Sequence, residues 1–147
     1  MGHDDPATTV QELTTDAEWD AAVPLLRQLW SDADPSFVRS WREEDGYHLF
    51  GLYVQGPDPA TLVGVVGVSV QRVLHHRRHA WVHDLVVDEP RRSEGFGAEL
   101  LAFVERWATE RDCEYVALAN HRDNEAALRF YEDAGMERWG YVIEREC

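Results

Sequence analysis

At 147 residues, the chain has room for one domain with a buried core and is too short for two independent ones. It has no apolar run of about 18 residues, no signal-peptide pattern at its start and no metal or disulfide spacing of its two cysteines, so we expect a cytoplasmic protein with free thiols. Its 28 acidic residues outnumber its 14 basic ones, and the net charge is −14. This charge argues against nucleic acids and membranes as partners, because phosphate groups are bound through Lys and Arg.

The first elements are a strand and two helices. Residues 9–13 read as a strand, and the Thr15-x-x-Glu18 spacing is that of a capping box that opens a helix. Pro24 is expected to kink or restart that helix, because proline removes a backbone donor. Asp34-Pro35 has the N-cap and first-turn pattern of a second helix.

The middle of the chain predicts three consecutive antiparallel strands. Residues 47–54, 61–74 and 80–87 are rich in β-branched and aromatic side chains. Turns are expected at residues 56–59, which contain Gly and Pro, and at residues 75–79, which are His-His-Arg-Arg-His.

The last third alternates between helices and strands. Residues 97–111 place apolar side chains on one face of a helix, and residues 115–120 read as a strand. A helix is expected over residues 125–134, with Gly135 at its C-terminal cap, and a last strand over residues 139–145.

The element order predicts the fold class. It is β-α-α-β-β-β-α-β-α-β, which favours an α/β (α+β) fold with a mixed, mostly antiparallel central sheet and helices on both faces. No repeat or linker divides the chain, so we expect a single domain over residues 1–147 with a disordered tail at residues 1–8.

Arg92-Ser93-Glu94-Gly95-Phe96-Gly97 connects the predicted strand at 80–87 to the helix at 97–111. Glycines in such a loop allow several backbone N–H groups to point toward one anion, and the helix N-terminus adds further donors. The pattern predicts a phosphate site. An ordinary strand-to-helix turn is the alternative.

Two motifs resemble those of the GNAT superfamily of acetyltransferases. Leu85-Val86-Val87, followed by Arg92-x-x-Gly95-x-Gly97, resembles motif A, which holds acetyl-CoA, and residues 124–136 resemble motif B, with its Asn, Ala, Tyr and Gly-Met. The resemblance spans residues 80–136. It implies the GNAT fold, an acetyl-CoA-dependent N-acetyltransferase without a metal, and cofactor contacts from Leu85, Val86, Val87, Arg92, Ser93, Glu94, Gly95, Phe96, Gly97, Asn124 and Tyr131.

The loop departs from the family pattern at two positions. Ser93 and Glu94 stand where the family often has Gly and a basic residue. Ser93 still offers its N–H, whereas Glu94 adds a repulsive charge for which Arg91 and Arg92 are expected to compensate. The loop therefore predicts a pyrophosphate held by backbone amides and the flanking arginines.

Tyr131 is the candidate general acid that the resemblance implies. Residues 124, 128 and 131 fall within about 60° of one another around a helix, so Asn124 and Tyr131 are expected to face the cofactor together. Donation from a tyrosine near pKa 10 to a thiolate near 8.5 is uphill by about 1.5 units. The alternatives are core packing for Tyr131 and helix N-capping for Asn124.

The base is either His83 or Asp84, or water relays the proton. His83 lies four residues before Val87, where relatives carry a glutamate base, and an imidazole suits this work at neutral pH. In a regular strand His83 and Asp84 face opposite sides, although a β-bulge would change this parity.

The predicted function is direct transfer of acetyl from acetyl-CoA to a primary amine of a small molecule or polypeptide, through a tetrahedral intermediate. A non-catalytic acyl-CoA sensor or interaction module of the same fold is the alternative. By family analogy, Trp30, Phe37, Trp41 and the turn at 75–79 line the acceptor side, and a homodimer is a further expectation. His75, His76 and His79 lack the carboxylate spacing of a metal site.

The composition also carries a prediction about the source of the protein. Every Lys or Arg position is arginine, and the self-repulsion of a charge of −14 is screened at molar salt, where the Debye length is about 3 Å. We expect a halophilic, haloarchaeal protein. A GC-rich genome that prefers arginine codons is the alternative.

Overall fold

The computed structural model describes residues 7–56 and 59–147. Most of the predicted tail and residues 57 and 58 of the predicted turn lie outside this part. Its elements are β1 Thr8–Glu12, α1 Asp16–Leu29, α2 Pro35–Ser40, β2 His48–Val54, β3 Thr61–Val73, β4 Arg77–Val87, α3 Phe96–Glu110, β5 Tyr115–Leu118 and α4 Glu125–Asp133. Short 3₁₀ turns follow α2 and β4.

The five strands form one sheet in the order β1-β2-β3-β4-β5. β1 to β4 pair as an antiparallel series, with Val10 opposite Leu52 and Leu49 opposite Gly67. The mixed α/β fold with a mostly antiparallel sheet is therefore confirmed. None of the helices in the described residues is both long and apolar enough to span a membrane.

The sheet carries helices on both faces. Leu49 and Val65 belong to a buried cluster with side chains of α1, whereas the ring of their neighbour Phe50 lies 5.9 Å from that of Trp107 on α3. Consecutive residues of a strand point to opposite faces. α1 and α3 therefore cover opposite faces of the same strands.

α1 begins as the sequence predicts and continues past Pro24. The Thr15 hydroxyl accepts from the Glu18 N–H at 3.2 Å, and the Glu18 carboxylate accepts from the Thr15 N–H at 3.0 Å. Pro24 does not restart the helix, because α1 runs unbroken from Asp16 to Leu29. The proline faces solvent, and five buried side chains hold the two halves against the sheet: Trp19, Ala22, Val23, Leu25 and Leu26.

The predicted turn at residues 75–79 is shorter in the structure. β4 begins at Arg77, and Val73 already pairs with Arg77 across the hairpin. His79 belongs to the strand and is 2% exposed. The sequence pattern did not predict this earlier start of β4, because the polar run of His and Arg lacks the apolar alternation of a half-buried strand.

The chain consists of two compact units, of which the first ends at Ala117 and the second begins at Leu118. A single domain over residues 1–147 stays a prediction. In the second unit, α4 ends as expected with Gly135 at φ +95°. Residues 139–145 do not form the predicted strand, and Tyr141 is 96% exposed. β-Propensity alone does not create a strand, because its backbone groups need a paired neighbour.

Candidate active site

A β-bulge at His83 is the central feature of the candidate site. The register of β3 with β4 runs from Gly67 opposite Asp84 to Val68 opposite Val82, so His83 is the extra residue. An extra residue interrupts the alternation of side chains along a strand. As a result, His83 and Asp84 both line one cavity, although they are neighbours in sequence.

The cavity has a volume of about 790 Å³. Its walls come from the end of α1, the connection to α2, α2 itself, Tyr47 and the bulge of β4. Its lining residues are Leu26, Leu29, Trp30, Ser31, Asp32, Ala33, Asp34, Phe37, Val38, Trp41, Tyr47, His83 and Asp84. The size and mixed lining are those of a small-molecule pocket.

Neutral donors hold both oxygens of Asp84. The Tyr47 hydroxyl donates to Oδ2 at 2.7 Å, and the indole N–H of Trp30 donates to Oδ1. Burial and the nearby charge of Asp84 raise the pKa of Tyr47, so its hydroxyl keeps its proton. These two hydrogen bonds hold the Asp84 carboxylate in the cavity wall, and both of their donors are uncharged.

His83 contacts the partly buried hydroxyl of Ser69 on β3. Nε2 of His83 lies 2.8 Å from Ser69 Oγ, and the imidazole and Tyr47 rings are 5.4 Å apart. Burial lowers the pKa of His83, and the charge of Asp84 partly opposes this shift. The imidazole is therefore largely neutral at pH 7 and can accept a proton.

Ser69 and Tyr47 were not predicted as site residues. The sequence offers no local signal for either, because their contacts depend on the register of β3 with β4 and on the position of the chain before β2. Gly67 shows the same dependence: a Cβ at Gly67 would lie 1.8 Å from the Tyr47 hydroxyl oxygen. The glycine provides the space in which the tyrosine reaches Asp84.

The loop before α3 has the backbone shape of an anion nest. Ser93 has φ +68° and Gly95 has φ +90°, and both therefore lie in the left-handed region. Gly95 caps α3 without a side-chain hydrogen bond, which leaves N–H groups of the first helical turn without a side-chain cap. These features fit a pyrophosphate. A glycine at position 93 would adopt this conformation with less strain.

The arginines of the loop are engaged by the protein itself. The Arg91 guanidinium lies 3.1 Å from the Glu94 carboxylate, and Nε of Arg92 donates to the Val87 carbonyl oxygen at 3.0 Å. Arg92 also donates to the Gln28 side chain at 3.3 Å. The backbone amides are thus the better candidates for a bound pyrophosphate, and the two guanidinium groups shape the loop.

Gln28 connects this loop by hydrogen bonds to α1, the helix whose end lines the cavity. Its amide nitrogen donates to Asp88 at 2.7 Å, and its carbonyl oxygen accepts from the Glu89 N–H at 3.0 Å and from Arg92. No local sequence pattern indicates this contact, because the partners lie about sixty positions apart.

The remaining predicted cofactor residues belong to regular elements. Leu85, Val86 and Val87 end β4, opposite Val66, Val65 and Gly64 respectively, and their contacts with a cofactor stay predictions.

Asn124 and Tyr131 lie in the second unit. Asn124 caps α4 through a bond of 3.1 Å from the Ala127 N–H to its Oδ1, the alternative considered for it from the sequence. Burial raises the pKa of Tyr131, which makes proton donation to a thiolate more uphill than in water. The catalytic role of Tyr131 and a cofactor contact from Asn124 stay predictions.

The aromatic residues expected on the acceptor side do meet in the cavity. Trp30, Phe37 and Trp41 line it together with His83 and Asp84, whereas the turn after β3 does not, and a place for that turn on the acceptor side stays a prediction. β4 carries its bulge at His83 far from its hairpin end, which separates the turn from the cavity. Within residues 7–56 and 59–147, no group of three or more His, Cys, Asp or Glu side chains could hold a metal ion.

The sequence matches a known protein family and a related bacterial protein. The model of the acetyltransferase (GNAT) family matches residues 12–136. A Bacillus subtilis protein named as the uncharacterized N-acetyltransferase YhdJ is 27% identical over 139 residues, which are 92% of each chain.

Two solved structures show the fold. The aminoglycoside N-acetyltransferase AAC(6')-Iy in complex with CoA aligns with a TM-score of 0.82 at 16% identity, over 100% of this chain and 99% of that one. The crystal structure of a protein described as a transcriptional regulator from Bacillus halodurans aligns with a TM-score of 0.77 at 19% identity, over 96% of this chain and 100% of that one.

Proposed function

The chain belongs to the acetyltransferase (GNAT) family, and from this premise we propose that it transfers the acetyl group of acetyl-CoA to a primary amine of a small molecule or polypeptide. The supporting observation is the cavity in which a largely neutral histidine and a carboxylate stand side by side. A related protein named as an N-acetyltransferase and fold neighbours that act on aminoglycosides also favour an amine acceptor.

The residues of the cavity have complementary tasks in this proposal. Asp84 attracts the incoming ammonium group, and Tyr47 and Trp30 keep its carboxylate in place. His83 then accepts the proton at an imidazole nitrogen, directly or through water, and leaves a neutral amine that can attack. Ser69 orients the ring through its bond to Nε2.

Bound acetyl-CoA would supply an activated thioester. The amides of residues 93–97 and the N-terminus of α3 would hold its pyrophosphate, and the backbone of residues 85–87 would bind the pantetheine arm and the thioester oxygen. We propose that Tyr131 Oη donates a proton to the leaving sulfur and is reprotonated through water by the second proton that the attacking nitrogen loses as the amide forms. Its raised pKa means that the site must stabilise the product tyrosinate or admit water to the proton path.

Release of free thiol from acetyl-CoA in the presence of a panel of primary amines tests this function. We expect turnover by the wild type, a loss of about a hundredfold in kcat for His83→Gln and a smaller loss for Tyr131→Phe, in keeping with general acid–base catalysis. Tyr141→Phe is a matched control for the second tyrosine, because Tyr141 is 96% exposed.

The non-catalytic acyl-CoA sensor makes the opposite prediction. It requires tight binding of CoA without release of thiol across the whole panel. If His83→Gln were as active as the wild type, His83 would not be the base, whichever of the two functions is correct.

A further inference from the structure

We infer that the acceptor is a diamine or polyamine, whose second ammonium group stays charged in the cavity while the first is acetylated. This inference rests on the acetyl transfer proposed above and narrows its substrate class. It is carried by the charges and aromatic surfaces that line the cavity around His83 and Asp84.

The cavity is negatively charged. Asp32, Asp34 and Asp84 line it, and none of its lining residues in the described part of the chain is arginine. The chain has no lysine, and the one lining histidine is largely neutral at pH 7. Carboxylates that line a concave surface concentrate cations and repel anions.

The carboxylates come from two separate parts of the fold. Asp84 lies on β4, and Asp32 lies in the connection between α1 and α2. Asp34 is partly committed, because it caps α2 by accepting from the Phe37 N–H at 2.8 Å and from Ser36. The charge of Arg27, which donates to the Ala33 carbonyl, also acts on Asp34. Asp32 is therefore the better anchor for a second charge.

Aromatic side chains complete the lining. Trp30 is 52% exposed and Phe37 is 55% exposed, so both rings present apolar surface to the cavity. The rings of Phe37 and Trp41 meet edge to face at 5.0 Å. Aromatic faces of this kind attract ammonium groups through cation–π interactions and also cover alkyl chains.

The chemistry of the reaction explains why one charge is insufficient. The attacking nitrogen must lose its proton before it reacts, and with that proton it loses its attraction to the carboxylates. A second ammonium group keeps its charge throughout the reaction. The acidic and aromatic lining then binds the substrate in its ground state and its transition state, which a monoamine cannot exploit.

The volume of the cavity is consistent with this class. About 790 Å³ exceeds what a short monoamine fills, and the lining reaches from the bulge of β4 to the connection between α1 and α2. Because His83 and Asp32 both line this cavity, we expect an extended diamine to place one nitrogen beside His83 and the other at the connection. An acceptor with a carboxylate at its far end would instead meet Asp32.

A matched set of acceptors tests the inference by activity. Hexylamine, 1,6-diaminohexane and 6-aminohexanoate share a chain length and differ at the far end, and they are compared at equal ionic strength. We expect kcat/KM to be at least about tenfold higher for the diamine than for hexylamine and lowest for the amino acid, the size expected of a close charge pair. Asp32→Asn should reduce the preference, and Asp45→Asn, an exposed residue outside the cavity, should not.

A binding measurement separates this inference from the proposed function. Hexamethonium, a dication that cannot be acetylated, is titrated against tryptophan fluorescence of the full chain, with hexyltrimethylammonium as the single-charge probe. We expect hexamethonium to quench the fluorescence in a saturable way. The Kd from this titration should rise about tenfold in Asp32→Asn and in Phe37→Leu.

Each result has a distinct meaning. Turnover of all three amines with equal kcat/KM, or no preference for hexamethonium over the single charge, would overturn the inference and leave acetyl transfer standing. Asp32-dependent binding of hexamethonium without turnover of any amine would support the cation site and overturn the proposed acetyl transfer.

Discussion

The Tyr47 hydroxyl reaches Oδ2 of Asp84 at 2.7 Å through the space that Gly67 leaves open on the strand between them. Gly67 lies opposite Asp84 in the register of β3 with β4. Tyr47, which precedes β2, therefore fixes the orientation of the Asp84 carboxylate on β4. Gly67 makes this contact possible because it has no side chain to occupy the space.

This contact predicts that Tyr47→Phe lowers kcat/KM for the amine about tenfold, because Asp84 loses one of its two donors. Gly67→Ala should have the same effect and also destabilise the fold by about 1–3 kcal/mol, because the buried tyrosine must move. Thermal unfolding and steady-state kinetics measure the two effects. Tyr53→Phe, on β2 outside the cavity, is the control, and an unchanged kcat/KM in Gly67→Ala would contradict the assignment.

The position of His83 predicts the acid side of the pH profile. Only the neutral imidazole accepts a proton, so activity falls as the pH drops through the pKa of His83. Burial lowers this pKa, so the midpoint should lie below the ordinary value of about 6.5. The readout is kcat/KM expressed per concentration of the ammonium form of the amine, which is the form that Asp84 is proposed to attract.

Asp84→Asn sharpens this test. The charge of Asp84 raises the pKa of His83, so its removal should move the midpoint to still lower pH. His48→Gln, at a histidine outside the cavity, should leave the profile unchanged. A midpoint that does not respond to Asp84→Asn would assign the titration to another group.

Gln28 predicts a link between α1 and the cofactor loop. Gln28→Ala removes its bonds to Asp88, Glu89 and Arg92, and the loop loses its support from the helix. We expect the Kd for CoA, measured by calorimetry, to rise about five- to tenfold with little change in kcat, which corresponds to about 1 kcal/mol. Gln11→Ala is the matched control. An unchanged Kd would show that the loop holds its shape without the helix.

The positive φ angles in the loop before α3 predict opposite effects of substitution on stability at Ser93 and at Gly95. Ser93→Gly should leave the free energy of unfolding unchanged or raise it by less than about 1 kcal/mol, because φ +68° is strained for serine. Gly95→Ala should lower it by about 1–2 kcal/mol at φ +90°. Denaturant unfolding measures both. A loss of stability in Ser93→Gly would contradict the observed conformation.

The net charge predicts a dependence of stability on salt. Raising the salt from low to molar concentration should raise the melting temperature, because screening removes the self-repulsion of a charge of −14. Sodium chloride is compared at both concentrations in the same buffer. A melting temperature that does not rise would favour codon usage as the cause of the arginine-rich composition.

The amino-acid sequence by itself determined the features that depend on neighbouring residues. The capping box at Thr15, the helix start at Asp34, the strands β1 to β3 and the end of α4 at Gly135 all follow from short-range patterns. Such patterns act within one turn of a helix or along one strand, and the structure confirms them. The same applies to the family, because its motifs are contiguous stretches of sequence.

Only the tertiary structure decided what depends on pairing between distant residues. The bulge that brings His83 and Asp84 to one cavity arises from the register of β3 with β4, and the support of the cofactor loop comes from Gln28 on α1. Packing also keeps α1 continuous through Pro24, and residues 139–145 do not form a strand despite their β-propensity. The free energy of these contacts comes from partners that are far away in the chain, and a local pattern carries no record of them.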